Sequence, residues 1–198
     1  MTTPTLGNRA ATKQIGDVAH NVILPLFVMA TSRAEIAIRQ RAGARSPILL
    51  IHAQGGSSRD FDALFASPIA ADYRLIAIDL PGHGASGEAQ YPEIAYTIAD
   101  YADTVLAAIE RLGIDNAFII DLSSDGHVGR ELATIFPGML GLALLSSHTS
   151  VSHSEIFPDG PPVYEISRLD EDSLAPMLQN LELHATALAL APRLWYGG

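Results

Sequence analysis

Cysteine is absent from this 198-residue chain, which excludes disulfides, thiolate metal sites and a cysteine nucleophile. Long apolar runs are absent too: none reaches the ~18 residues a membrane-spanning helix needs, so none is expected. The start, Met1-Thr2-Thr3-Pro4, lacks a basic segment followed by an apolar one, so no secretory signal is read and a cytoplasmic location is expected by default. Basic residues are few beside acidic ones. Twelve Lys and Arg against 22 Asp and Glu give a net charge of −10, which argues against nucleic acid as the main partner. Residues 1–50 hold six of the basic and two of the acidic side chains; these scattered positive charges read as ordinary surface. With 48% hydrophobic and 17% charged residues, the chain has the composition of one globular domain with a full core.

The periodicity sets out alternating strands and helices. His20 to Thr31 and Ala34 to Ala42 read as two strands around the turn Thr31-Ser32-Arg33, suited to the antiparallel edge of an otherwise parallel sheet. Pro47-Ile48-Leu49-Leu50-Ile51 is apolar throughout, as a strand buried on both faces must be, and it runs into His52-Ala53-Gln54-Gly55-Gly56. A helix is expected over Arg59 to Ala70, a strand over Tyr73 to Asp79, and a Pro and Gly turn over Leu80 to Gly87. Tyr96 to Leu112 predicts an amphipathic helix with Ile98, Tyr101, Ala102, Val105, Leu106 and Ile109 on one face, closed by Gly113. Ala117 to Asp121 reads as a buried strand, Leu122-Ser123-Ser124-Asp125 as a polar corner, and Gly126 onward as a helix ended by Phe136-Pro137-Gly138. Leu140 to Ser147 makes a further buried strand. The whole predicts a doubly wound, mostly parallel α/β sheet whose site lies at the C-terminal ends of the strands.

A serine at a strand-to-helix corner has its hydroxyl exposed over a helix N-terminus, the geometry of a nucleophile elbow. At this corner the chain resembles the α/β-hydrolase family, over about residues 47 to 147, and the intact run Asp79-Leu80-Pro81-Gly82-His83-Gly84-Ala85-Ser86 is its most specific match. The resemblance implies Ser123 as nucleophile, with Ser124 in an alternative register, and an oxyanion hole from the N–H groups of Gln54 and Ser124. The implied substrate is a small molecule with a carboxylic ester, lactone or similar acyl bond, cleaved through an acyl-enzyme. Neither cofactor nor metal is implied. Asp121 and Asp125 stand where the family has small residues, usually glycine, and Ala53 stands at another usual glycine. Two aspartates there are expected to crowd a strained turn and to disfavour the oxyanion. His52 and His83 are read as loop hydrogen-bonders.

The resemblance divides the chain into a hydrolase core, 1–147, and the start of a helical cap, 148–198, with helices expected over Leu174 to Leu194. A serine needs a base oriented by an acid, and the family places both on loops after later strands. Three readings stay open. The chain is the front part of a longer hydrolase; or it keeps the fold as a non-catalytic module that binds a ligand or partner; or His148, His153 or His184 is recruited as base. Loss of the last strands would impair catalysis and leave a sheet edge exposed for self-association.

Overall fold

Side chains alternate across a strand, so an unbroken apolar run serves two cores at once. In β3 (Arg45–Ile51), Ile48 and Leu50 enter one hydrophobic cluster and Leu49 and Ile51 the other, all fully buried. The computed structural model describes residues 24–93, 95–123, 127–145, 160–166 and residue 179. Around β3 stand β1 (Leu26–Ala30), β2 (Glu35–Arg41), β4 (Tyr73–Ile78), β5 (Ala117–Asp121), β6 (Met139–Leu145) and β7 (Val163–Ile166). They form one sheet in the order β1-β2-β4-β3-β5-β6-β7. The β1/β2 and β2/β4 pairs are antiparallel and the others parallel, the mostly parallel sheet with an antiparallel edge that the sequence predicts.

Helices cover both faces. On one lie α1 (Asp62–Phe65) and α2 (Ile69–Asp72), with Phe61, Leu64, Phe65 and Ile69 packed on Ile48, Leu50 and Phe118. On the other lie α3 (Ile98–Arg111) and α4 (His127–Ile135), which bury Ala102, Val105, Ile109, Val128 and Leu132 against Leu49, Ile51, Ile119 and Leu142. Ile98, expected on the buried face of α3, is exposed instead.

The single helix expected over Arg59 to Ala70 is broken. A 3-10 turn, Ser58–Phe61, leads into α1, and the chain restarts at α2 after Pro68. Proline disfavours the helical conformation in the residue before it, here Ser67, whose hydroxyl donates to the Leu64 carbonyl at 2.7 Å. Strand β7 falls where the sequence reading names no strand, and it pairs parallel with β6. Apart from residue 179, the helices expected over 174–194 lie outside the described residues, as do Ser146 and Ser147. Among the described residues no helix is long and apolar enough to cross a membrane.

Candidate active site

Strand β3 has β4 on one side and β5 on the other, so the loops after β3 and β5 leave the sheet side by side. Such a switch point, at the C-terminal ends of parallel strands, is where open α/β sheets bind ligands. Here Gln54 follows β3, Leu80 and His83 follow β4, and Ser123 follows β5. All four line one cavity of about 220 Å³. The structure therefore brings Gln54 and Ser123 together; Ser124, Asp125, His148, His153 and His184 lie outside the described residues.

The loop after β4 is a scaffold. Asp79 is buried, and its two carboxylate oxygens accept the N–H groups of Ser58 at 2.5 Å and Ala85 at 2.8 Å. Ser86 donates its hydroxyl to the Asp79 carbonyl and accepts the Ala37 N–H. Gly84 has φ +55, and a Cβ there would lie on the Asp79 carboxylate, so this turn needs glycine. The Asp-Leu-Pro-Gly-His-Gly-x-Ser run thus does structural work, as its sequence suggests.

His52 is likewise spent on the backbone. Its Nδ1 donates to the Ala53 carbonyl at 2.8 Å, and its Nε2 accepts the Leu80 N–H at 3.0 Å, which ties the β3 loop to the β4 loop in the neutral tautomer. Burial above all holds its pKa below the ordinary 6.5. His83 donates from Nδ1 to the Pro81 carbonyl at 3.0 Å, with its ring 5.0 Å from that of His52. The sequence reading did not single out His127, which opens α4 and lines the same cavity; the signal was its position four residues after Ser123. Tyr96 and Tyr101 supply an aromatic wall. Among the described residues no imidazole is hydrogen-bonded to a carboxylate, and no three metal-binding side chains gather.

Ser123 is 8% exposed, and its Oγ accepts the Val128 N–H at 3.4 Å, in the first turn of α4. Two expectations for this corner are corrected. Strain was expected at the serine, yet the non-glycine residue with positive φ among those described is Tyr96, at 68°. Asp121 was expected to crowd the turn. Instead its Oδ1 accepts the Ser123 N–H at 2.7 Å and its Oδ2 the Gly129 N–H at 2.6 Å. Burial pushes the Asp121 carboxyl above the usual carboxylate range, against the lowering effect of these bonds.

Comparison with known proteins agrees with this geometry. A family model described as the alpha/beta hydrolase fold matches residues 46–165. An uncharacterized protein of Mycobacterium tuberculosis is 31% identical over 153 residues, which are 77% of this chain and 42% of that protein. A non-heme chloroperoxidase of Streptomyces lividans is 32% identical over 120 residues, 59% of this chain and 42% of the relative. A solved N-acyl homoserine lactonase, complexed with N-butanoyl homoserine, matches with TM-score 0.59 and 35% identity over 61% of this chain and 44% of its own. The chain thus spans less than half the length of these relatives. With a serine at the β5 corner, a cavity at the switch point and a family match over 46–165, the chain belongs to the α/β-hydrolase family.

Proposed function

We propose that Ser123 is the nucleophile of an acyl-bond hydrolase whose substrate is a small ester or lactone. The observation that carries this is the shared cavity: Ser123 stands directly beyond β5 with its hydroxyl at a helix N-terminus, and Gln54 faces it from the loop after β3. In the reaction, Oγ attacks the carbonyl carbon as its proton passes to a base. The N–H groups of Gln54 and Ser124 take the oxyanion, the alcohol leaves, and water then hydrolyses the acyl-enzyme. Leu80, Ile98 and Val128, with the two tyrosines, give the cavity an apolar lining that suits an acyl chain. Similarity to the lactonase makes short acyl lactones and esters the first substrates to test.

The base is an imidazole other than those spent on the loop backbone. His52 has both ring nitrogens committed to the backbone, and His83 has one. Without an acid and histidine in place, turnover by the 198-residue chain should be impaired by about 10⁴ to 10⁶. The test is release of p-nitrophenol from a short-chain p-nitrophenyl ester beside Ser123→Ala. Residual turnover that disappears in the variant supports the reading. Release above that of buffer alone that is equal in both chains refutes Ser123 as the nucleophile.

A further inference from the structure

We propose that Asp121 is a positioning residue for Ser123, its carboxylate clamping the strand-to-helix corner that carries the hydroxyl. The proposal rests on the reading of Ser123 as nucleophile for its catalytic consequence, and on geometry alone for the clamp. The first N–H groups of a helix lack partners within the helix. In α4, Val128 donates to Ser123 Oγ and Gly129 to Asp121 Oδ2, so the two side chains of the corner share the task of capping the helix. Because Asp121 Oδ1 also takes the Ser123 N–H, one carboxylate bridges the last residue of β5, the serine and α4. Distances of 2.6 and 2.7 Å are those of charge-assisted bonds.

The bridge has room only because residue 129 is glycine. A Cβ there would lie 2.9 Å from Asp121 Oδ2, 3.1 Å from Asp121 Cβ and 2.7 Å from Leu142 Cδ1. Asp121 and Gly129 are therefore one device: a side chain added on the strand, and one left out of the helix. It does by hydrogen bonding what a tight glycine turn does by absence of bulk, and it fits a corner whose serine has no positive φ. Around the carboxylate, β3 brings Ile51 and β6 brings Leu142 and Leu144; among the described residues the titratable group that acts on it is His127 of α4.

The experiment follows the Ser123 and Gly129 amides by proton–nitrogen correlation spectra across pH, in the unaltered chain and in Asp121→Asn. Alongside, it measures the rate at which a fluorophosphonate labels Ser123 in both, on samples shown to be folded by near-ultraviolet circular dichroism. The clamp predicts that the two amides shift together with one midpoint above the usual carboxylate range, and that this transition is absent in D121N. Labelling should slow on the order of 10 to 100-fold in D121N, since Asn offers one acceptor where two are used. The titration uses the unaltered chain, so it stands even if D121N does not fold. Amides that stay still or titrate apart overturn the clamp. Co-titrating amides with an unchanged labelling rate overturn the positioning role. Co-titrating amides in a chain whose label sits at a residue other than Ser123 overturn the nucleophile reading of Ser123, and the catalytic consequence with it, while the clamp stands.

Discussion

Both nitrogens of His52 are committed to the backbone, so protonating the ring must break the bond it accepts from Leu80. Its folded pKa lies below 6.5, with burial the main cause, and the unfolded chain therefore takes up the proton first. The stability that neutral His52 contributes is present above pH 6.5 and is lost as pH falls through the folded value. Urea midpoints should drop from pH 7 toward pH 5. In His52→Phe that slope should flatten, and stability at pH 7 should fall by about 1–3 kcal/mol because the buried Leu80 N–H loses its acceptor. Asp121 has the opposite sign. Its folded pKa is raised, so its contribution is full below the ordinary carboxylate range and is lost as pH rises through the folded value. The stability of D121N relative to the unaltered chain should thus improve as pH rises, and no change in that difference would contradict the buried carboxylate. The site residues were legible to different degrees. Ser123 and Gln54 stand at motif positions. The part played by Asp121 was not legible, because the residue that makes room for it, Gly129, lies eight positions on and meets it only in the folded corner.

Among the elements, α3 shows local chemistry deciding a boundary. Thr97 caps the helix by accepting the Asp100 N–H at 3.2 Å while donating to the Asp100 carboxylate at 2.6 Å. The Thr97 hydroxyl, first among the causes, holds that carboxylate below its ordinary pKa. Thr97→Ala should cost about 1 kcal/mol in urea unfolding, as N-cap losses do, and an unchanged midpoint would mean that the cap contributes nothing. Arg33, in the β1–β2 turn, pairs with Asp100 and Asp103 on α3, but it is half-exposed and its loss should matter less. Strands β3, β4 and β5 were readable because a strand covered on both faces must be apolar throughout. The break before Pro68 was missed because Phe61, Leu64 and Phe65 keep helical spacing across a 3-10 turn and a single turn of helix. Strand β7 was missed for another reason. Four residues, Val163–Ile166, follow two prolines in an acidic stretch, and what makes them a strand is their partner β6, which no local pattern reveals.

At the scale of the molecule, the sheet carries the loops after β3, β4 and β5 to one cavity, and the family match covers the same stretch. Relatives of which this chain matches less than half include a lactonase and a chloroperoxidase, so the sheet and the serine corner do not select the substrate. The central claim concerns the one atom on which the proposed chemistry depends, the Oγ of Ser123. Its most direct test is to incubate the purified chain with a fluorophosphonate and locate the adduct by peptide mass spectrometry, beside Ser123→Ala. A serine over a helix N-terminus in this cavity should carry the label at residue 123, and the alanine variant should carry none. A label carried at another residue, or one that persists in the variant, would contradict Ser123 as the nucleophile.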